Sequence, residues 1–448
     1  MISNLDASSF YRRLNRVLFP SCPIKSEEML FGRGKDMANI EAALYAPGRH
    51  VFIYGDRGVG KTSLAHTMAY KLQEATDPIV VGCEPDSTMA SIIQDVITRG
   101  SQPATHHTES QLKVKLGIAG TGAEYQKSHK PAPAATPVTN VSSAVNALFA
   151  LEQHHSPHPF VVIDEFDQIT SVEERQKFGV LIKSMGDQGC KTKFIFTGIG
   201  DSLMSLIGGH KSSERQIHQT KLDNLCWDGR EDIIKRAFGE FEIDIDKETR
   251  LKIAGLSDGY PHYVHLMCEK ILQCAYAKQE NVESVDRKLF LEGLSEAVNS
   301  VSETLKRDYV MATEGREDMY HHLLWAMADS ADLQRHKSAI MASLHAICKH
   351  LDVAQLEKAQ FDRRFNNLKK ESFGEIVVPA LGNRPMWYRF KENMLRGYVR
   401  MFAESNGVEL DFYRHYTAME PSVRTPTGKQ RHYQPLTEVE RLASQNRK

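Results

Sequence analysis

The chain has 448 residues, enough for two or three domains that each bury a core of their own. Its hydrophobic content of 41% and charged content of 25% are those of a globular protein, which excludes a disordered or fibrous chain. The formal net charge of −1 excludes a global electrostatic attraction to nucleic acid or to a membrane, so any such attraction must be local.

The cysteines and the first residues predict the compartment. The 7 cysteines include no Cys-x-x-Cys pair, and scattered thiols of this kind are typical of a reducing compartment. The N-terminus lacks a basic segment followed by an apolar one, and no apolar run is long enough to span a bilayer. We therefore expect a cytoplasmic protein with no membrane partner.

The N-terminal segment, residues 1–25, contains a short amphipathic stretch from Phe10 to Phe19 and ends with Pro20 and Pro23 as helix breakers. Its aromatic and aliphatic spacing predicts a segment that docks on the core or on a neighbouring subunit.

The next segment has the features of a phosphate-binding loop. The apolar run His50 to Tyr54 predicts a buried strand, and Ser63 to Leu72 has the apolar spacing of a helix. Between them stands Gly-x-x-x-x-Gly-Lys-Thr, whose backbone N–H groups can cradle phosphate. Lys61 can reach the β- and γ-phosphates, and the Thr62 hydroxyl can ligate Mg²⁺. The predicted cofactor-binding residues of this loop are Gly55, Asp56, Arg57, Gly58, Val59, Gly60, Lys61, Thr62 and Ser63.

An insertion follows the second predicted strand, Ile79 to Glu84. Residues 101–140 begin with the alternating stretch Leu112 to Ile118, which predicts a small hairpin, and continue with a loop rich in Pro and Ala. Two interpretations stay open. The insertion is either a partner surface or pore-facing element, or a mobile surface loop without a partner.

Two further strands end in polar side chains suited to phosphate chemistry. Phe160 to Ile163 is apolar and is followed by Asp164, which can hold Mg²⁺ through water, and Glu165, which can orient and polarise the attacking water. The strand that begins at Lys193 ends near Thr197, whose hydroxyl can sense the γ-phosphate and align that water. Glu165, Lys61 and Thr197 are therefore candidate catalytic residues, and Thr62 and Asp164 are candidate metal ligands.

In this order, the loop, the Asp-Glu strand and the Thr-tipped strand resemble AAA+ and STAND-type ATPases, especially the origin-recognition branch. The resemblance implies an α/β fold: a P-loop AAA+ core with a parallel sheet, a helical lid and a C-terminal winged-helix domain. It also implies ATP hydrolysis as the activity, with ATP and Mg²⁺ as cofactors.

A box ahead of the loop adds to the resemblance. Glu28 to Arg33 is similar to the family's F-x-G-R-x-x-E-L box, which contacts adenine and thus implies a cofactor contact by Gly32 and Arg33. This chain departs mildly from the pattern, with Asp36-Met37 where Glu-Leu is frequent.

A lid motif is the second addition. Gly255 to His262 is similar to the family's G-G-x-P motif, and the resemblance implies that Pro261 and its neighbour His262 approach the nucleotide. His262 stands where standard AAA+ lids carry a sensor arginine, which puts sensing of hydrolysis by the lid in doubt.

The resemblance also implies a catalytic arginine that acts in trans. Arg215 lies between the Thr-tipped strand and the last core strand, which the sequence predicts at Leu222 to Leu225. Its guanidinium would reach the γ-phosphate of a neighbouring subunit, so the partner would be a second copy of the chain. The alternative is an arginine on a solvated loop.

The predicted domains are the P-loop core at 26–225, a helical lid at 226–300, a winged-helix domain at 301–410 and a disordered or basic tail at 411–448. The winged helix rests on a basic helix from Glu357 to Lys370 and on a hairpin with strands Glu375 to Val378 and Met386 to Phe390. Between residues 361 and 400, nine Lys and Arg stand against four Asp and Glu. DNA contact is one hypothesis for this domain, and an internal clamp or protein dock is the other. The candidate DNA contacts are Arg363, Arg364, Lys369, Lys370, Arg384 and Arg389.

The sequence thus predicts a nucleotide-switched, oligomerising ATPase. One hypothesis is a DNA-associated ATPase of a mobile-element or defence system that regulates or loads an effector protein. The rival hypothesis is an ATP-bound signalling scaffold that recruits a partner protein without binding DNA. A processive remodelling motor is less favoured, because no aromatic-Gly pore-loop motif is present.

Overall fold

A computed structural model of the chain describes residues 2–74, 76–101, 137–208, 213–279, 281–382, 384–413, 422–424 and 430–432. These residues form two compact units, one over residues 1–300 and the other over residues 301–448. The hairpin and most of the loop predicted within 101–140 lie outside the described residues. Within the described ranges, no helix combines the length and apolar content that crossing a bilayer requires.

The first unit is built on a five-stranded parallel sheet with the strand order β2-β3-β4-β1-β5. The central strands β1, β3 and β4 are nearly continuous buried apolar runs, as expected for strands that are covered on both faces. The strands are β1 His50–Tyr54, β2 Ile79–Gly82, β3 Phe160–Asp164, β4 Lys193–Gly198 and β5 Ile217–Lys221.

Helices cover the sheet, and four more helices of the first unit follow its last strand in the described part of the chain. Several begin with a side chain that caps backbone N–H groups; for example, Thr88 and Ser91 cap each other's N–H groups at the start of α4. The helices are α1 Ala7–Val17, α2 Gly34–Tyr45, α3 Lys61–Leu72, α4 Met89–Gly100, α5 Val141–His154, α6 Val172–Gln188, α7 Gly200–Gly208, α8 Trp227–Gly239, α9 Lys247–Leu256, α10 Pro261–Ala277 and α11 Arg287–Ser300.

The core beside the sheet contains a cluster of phenylalanine rings among its aliphatic residues. Phe52 of β1 and Phe196 of β4 stack with ring centroids 5.9 Å apart, and Phe166 meets both rings edge to face. Phe166 directly follows the acidic end of β3, so its burial anchors the turn that carries the acidic residues.

The last strand of the sheet differs from the sequence prediction. The prediction of a strand at Leu222–Leu225 is wrong, because β5 is Ile217–Lys221. Leu222 and Leu225 are buried in the segment after β5, where the Leu222 N–H donates to the Tyr54 carbonyl at 2.7 Å. β5 lies at an edge of the sheet and accommodates the polar residues His218 to Lys221, so it lacks the apolar run that predicts a central strand.

The N-terminal helix α1 packs within the first unit. Phe10 stacks on Tyr276 of α10 with centroids 4.1 Å apart and contacts Phe241, which follows α8. Arg13 and Arg16 both pair with Glu240, whose side chain is almost entirely buried. The segment predicted to dock therefore contacts helices α8 and α10 of its own chain.

The second unit combines helices with a small antiparallel sheet of order β6-β8-β7. Along the chain, a helix is followed by a short strand, two helices and a two-stranded hairpin. The elements are α12 Glu303–Thr313, α13 Met319–Ala328, β6 Arg335–His336, α14 Lys337–His350, α15 Lys358–Asn367, β7 Val377–Pro379, β8 Trp387–Phe390 and α16 Leu395–Ser405, and the strands β9 Ser422–Arg424 and β10 Gln430–His432 pair within the predicted tail.

The basic helix of this unit is shorter than predicted. It ends at Asn367, and the chain turns at Leu368, whose carbonyl accepts from the N–H of Val377 at 3.2 Å. Lys369 and Lys370 therefore follow the helix instead of lying on it. The winged-helix interpretation and the predicted domain boundaries stay predictions.

Candidate active site

The phosphate-binding loop lies between β1 and α3, as its flanks predict. Gly60 has φ +99° in the left-handed region immediately before the first residue of α3, which requires glycine at this position. Gly55 is in close contact with the segment after β5, since a Cβ at Gly55 would lie 2.3 Å from the Leu222 carbonyl oxygen. Asp56 and Arg57 are exposed on the loop, whereas Val59 is buried beneath it.

Lys61 is held inside the loop by backbone oxygens. Its Nζ donates to the carbonyls of Gly55 at 3.0 Å and Asp56 at 2.9 Å. Burial lowers the pKa of Lys61, and the carboxylates of Asp167, Asp56, Asp164 and Glu165 act in the opposite direction. The ammonium group thus lies among acids and carbonyls at the place where a phosphate would meet it.

A hydrogen-bonded triad joins three elements at the carboxyl edge of the sheet. Thr62 at the start of α3 donates its hydroxyl to Asp164 Oδ1 at 3.0 Å. Thr197 of β4 donates its hydroxyl to the same oxygen and accepts from the backbone N–H of Glu165 at 3.0 Å. The structure therefore brings Thr62, Asp164, Glu165 and Thr197 together from three segments that are far apart in the sequence.

Glu165 begins a tight turn. Its backbone is left-handed, with φ +55° and ψ +43°, and it precedes the short 3₁₀ helix Phe166–Gln168. Its side chain is exposed, while Phe166 beside it is fully buried. The buried ring and the bond from the Glu165 N–H to Thr197 therefore hold this carboxylate at the edge of the sheet where the phosphate-binding loop ends.

The box residues Gly32 and Arg33 pack against the backbone of the phosphate-binding loop and against helix α8. Arg33 is 7% exposed, and its guanidinium donates to the carbonyls of Val59 at 2.9 Å and Asp223 at 2.8 Å. A Cβ at Gly32 would lie 3.0 Å from the Cα of Gly229, so the box packs tightly against α8. The Arg33 side chain is thus engaged with backbone that shapes the loop, which sequence reasoning did not predict.

Pro261 and His262 lie at the start of α10. The Cγ of Pro261 is 3.9 Å from the position that a Cβ of Gly60 would occupy, so the lid motif meets the phosphate-binding loop. His262 Nδ1 lies 2.8 Å from the Pro20 carbonyl, which can only accept, so Nδ1 carries the proton. Burial lowers the pKa of His262.

Residues 18–24, here named the N-terminal strap, were missed as part of this region. The Phe19 N–H donates to His265 Nδ1 of α10 at 3.4 Å, and the Ile24 N–H donates to Ser63 Oγ of α3 at 3.2 Å. The strap therefore connects the lid helix with the helix that follows the phosphate-binding loop. The Ser63 hydroxyl, predicted to bind the cofactor, accepts a bond from the strap. Pro20 and Pro23 were the only signal in the sequence for this extended segment.

Arg215 lies apart from the other candidate residues. It is exposed in the short 3₁₀ helix Ser213–Gln216, immediately before β5. Because β5 runs parallel to β1, Arg215 is at the amino edge of the sheet and the phosphate-binding loop at the carboxyl edge. A five-residue strand is roughly 16 Å long, so Arg215 is not brought together with Lys61 or Glu165.

Most candidate DNA contacts of the second unit have partners within that unit. Arg364 pairs with Glu317 at 2.7 Å, and the Lys370 Nζ donates to Asn367 Oδ1 at 2.7 Å. Arg363 is exposed and makes no ion pair with the described residues. The other three contact aromatic rings or backbone: Lys369 lies 5.1 Å from the ring centroid of Tyr388, Arg384 lies 5.6 Å from that of Trp387, and Arg389 donates to the carbonyls of Phe390 and Lys391.

Comparison with known families agrees with this geometry. Residues 29–187, which include the box, the phosphate-binding loop and the triad residues Thr62 and Asp164, match the AAA ATPase domain family. This segment is therefore similar to an AAA ATPase domain. This confirms the AAA part of the predicted resemblance, while the STAND branch stays a prediction. No curated protein sequence matches the chain.

Three solved structures that are similar to this chain show the range of the likeness. A Walker-type ATPase of Pyrococcus abyssi is 16% identical with a TM-score of 0.50, and the match covers 89% of this chain and 100% of that one. The ORC2 protein of Aeropyrum pernix is 14% identical with a TM-score of 0.45, covering 88% and 98%. Cdc6p of Pyrobaculum aerophilum is 14% identical with a TM-score of 0.42, covering 87% and 97%. At this identity, the likeness to the Pyrococcus protein shows the fold alone, and the prediction of an α/β P-loop fold is confirmed.

Proposed function

We propose that the chain is a Mg²⁺-dependent ATPase that hydrolyses ATP at the carboxyl edge of its sheet. The observation that carries the proposal is the triad, in which the Thr62 and Thr197 hydroxyls meet on Asp164 Oδ1 beside the phosphate-binding loop. The AAA ATPase domain at residues 29–187 supports the same activity. Nucleotide would lie between the loop, the box and Pro261 of the lid.

The donor set fits a magnesium ion. Thr62 and Asp164 offer a hydroxyl and a carboxylate, which are the hard oxygen donors that Mg²⁺ prefers, and their oxygens lie 3.0 Å apart. When bound, Mg²⁺ would neutralise part of the charge on the phosphates. Thr62 would hold it directly, and Asp164 would hold it through water.

The remaining residues divide the chemistry among them. Lys61 would exchange its two carbonyl partners for phosphate oxygens. Glu165, exposed at its left-handed turn, would accept a proton from the attacking water. Thr197 would fix the positions of Asp164 and Glu165, because its hydroxyl donates to the Asp164 side chain and accepts from the Glu165 backbone N–H.

Two substitutions test the proposed chemistry. Lys61→Ala should abolish nucleotide binding, whereas Glu165→Gln should preserve binding and trap the ATP state, because only the group that polarises water is lost. Binding would be measured with a fluorescent ATP analogue and hydrolysis by phosphate release. Hydrolysis by Glu165→Gln at the wild-type rate would show that another group polarises the water.

The proposed biological role is a nucleotide-switched regulator or loader of an effector protein, in a mobile-element or defence system. Copies of the chain would assemble when ATP is bound, with Arg215 of one copy completing the site of the next. The exposure of Arg215 on the edge opposite to its own phosphate-binding loop supports action in trans. The helix, strand and hairpin order of the second unit supports a winged helix that contacts DNA.

A scaffold that recruits a protein without binding DNA is the second candidate function. One observation favours it: Arg364, a candidate DNA contact, is already paired with Glu317, and Lys369 lies against aromatic rings. These groups would have to give up their partners to reach phosphate. Salt-dependent DNA binding distinguishes the two functions.

A further inference from the structure

A second cavity lies at the edge of the sheet opposite to the phosphate-binding loop. It encloses about 720 Å³ and is lined by residues at the starts of four parallel strands. Arg49 precedes β1, Phe160 begins β3, Lys193 begins β4 and Gln216 precedes β5. Because the strands are parallel, this whole set lies at the amino edge, and the cavity shares no residue with the phosphate-binding loop or the triad.

Glycines border this cavity, here named the basal pocket. Gly48, Gly186 and Gly189 line it. A Cβ at Gly189 would meet open space, whereas a Cβ at Gly186 would clash with the Gln216 side chain, so Gln216 and not the pocket occupies the space at Gly186. Leu44, Leu72 and Phe160 give it an apolar side. Its volume is in the range of roughly 300–1,000 Å³ that is typical of sites for small organic ligands.

The charges around the basal pocket are unbalanced. Arg49, Lys191, Lys193 and Arg215 line it, against one acid, Glu74. Within the described part of the chain, none of these four cations forms an ion pair with a carboxylate. This is unusual for cations gathered at one cavity, since like charges repel and an acid commonly stands among them.

Nearby groups that could have neutralised these cations are engaged elsewhere. Glu152, close in the fold, accepts from the backbone N–H groups of Lys191 at 2.6 Å and Thr192 at 2.8 Å, so its carboxylate serves the turn before β4. Lys193 donates its Nζ to the carbonyls of Ala46 at 2.7 Å and Arg49 at 3.2 Å. Arg49, Lys191 and Arg215 are exposed, and among the residues that the structure describes no group forms a hydrogen bond or ion pair with their charged ends.

We propose that the basal pocket binds a small organic anion, with a carboxylate or phosphate head and an apolar or aromatic body. The head would be held by Arg49 and Lys191, and the body would pack on Leu44, Leu72 and Phe160. Hydrogen bonds between a charged donor and an anion are roughly twice as strong as neutral ones, which gives the site its preference for an anionic head. The proposal does not depend on the assignment of Arg215 as a trans-acting residue.

A pair of probes that differ only in charge tests the proposal. Naphthalene-2-carboxylate and its neutral amide would be titrated into the full-length protein by calorimetry. The carboxylate should bind with one-to-one stoichiometry and about tenfold more tightly than the amide, as expected from the loss of a charge-assisted bond. Arg49→Gln combined with Lys191→Gln should remove this difference, whereas Glu74→Gln should tighten carboxylate binding because it removes the single acid.

Three controls keep the result specific. Lys61→Ala, which acts at the opposite edge, should bind the carboxylate as the wild type does, and so should protein saturated with ATP. Circular dichroism would show that the double variant keeps its fold. Equal binding of the two probes, undiminished binding by the double variant, loss of binding in Lys61→Ala or no saturable binding at all would each overturn the proposal.

Discussion

Thr197 occupies a central place among the residues of the active site. Its side chain is 1% exposed, and its hydroxyl both donates to Asp164 and accepts from the Glu165 N–H. A single oxygen thus orients the proposed metal-binding acid and the proposed catalytic acid. A valine has nearly the same shape but can make neither bond.

We expect Thr197→Val to lower kcat about 10- to 100-fold with a smaller effect on KM for ATP, the loss typical of a group that positions metal ligands. Phosphate release at saturating and limiting ATP would separate the two constants. Thr192→Val is a matched control, since Thr192 is also buried but lies at the other end of β4, where it bonds Glu152. An equal loss in both variants would indicate general destabilisation of the strand instead.

His265 illustrates how a single buried side chain sets a pH dependence. Burial lowers the pKa of His265 from 6.5 to about 3, and its Nδ1 accepts from the strap. As the pH falls below about 6.5, His265 therefore binds a proton in the unfolded chain but stays neutral in the folded chain. The contribution of His265 to stability is unaffected above that pH and is lost progressively as the pH falls towards 3.

We expect the unfolding free energy of the wild type to fall more steeply with acidification than that of His265→Asn. The difference in slope should approach about 1.4 kcal/mol per pH unit between about pH 6 and pH 4. Urea denaturation at a series of pH values measures both slopes. Parallel slopes would mean that His265 is protonated in the folded protein.

At the scale of elements, variants on the surface of the second unit distinguish DNA contact from protein recruitment. If α15 and the turn after it contact phosphate, replacing Arg363, Arg364, Lys369 and Lys370 with Ala should weaken binding to all DNA sequences alike. The plot of log affinity against log salt should flatten by about 0.9 per lost contact. ATP hydrolysis should persist, since these residues lie in the other unit.

The ion pair between Arg364 and Glu317 offers a matched variant that should change DNA affinity in the opposite direction. Glu317→Gln replaces the ion pair with a weaker neutral hydrogen bond and removes a negative charge, so a DNA-binding surface should gain affinity. Fluorescence anisotropy with a labelled duplex would measure both variants. Unchanged DNA affinity in the quadruple variant and in Glu317→Gln would leave the protein-recruiting scaffold as the supported function.

The sequence predicted the central strands of the main sheet well and the edge strand β5 poorly, and burial explains the difference. β1, β3 and β4 are buried on both faces, so they are continuous apolar runs with the functional residues at their ends. β5 is an edge strand with polar residues and was placed five residues too late. Helix α5 was not predicted, since its alanines and serines give a weak apolar pattern.

The sequence singled out side chains of the site only where they belong to a motif that is defined by its ligand, and their roles stay predictions. Lys61, Thr62, Asp164 and Glu165 belong to motifs defined by phosphate chemistry, and the structure places them around one site. Arg33 and Ser63 instead meet backbone groups of Val59 and Ile24, which only the folded chain brings near. No local pattern records such a contact.

For the whole molecule, the separation of Arg215 from its own loop has a kinetic consequence. If Arg215 acts in trans, hydrolysis per subunit should rise with protein concentration. Arg215→Ala subunits mixed with wild type should reduce activity by more than dilution, since each variant copy leaves a neighbour's site incomplete. Arg287→Ala, a change at another exposed arginine, is the control. A rate per subunit that is flat with concentration in a demonstrably monomeric protein would exclude action in trans.

The two edge strands of the main sheet also limit how copies of this protein can meet. β2 has four residues and ends in Gly82, and β5 ends in the exposed Lys221. Short edges and lysine at an edge oppose the addition of a strand from another chain, the route by which sheets merge into aggregates. An assembly of these subunits would then have to join through side chains and loops. Contacts of that kind can break and re-form with the nucleotide, whereas a shared sheet could not.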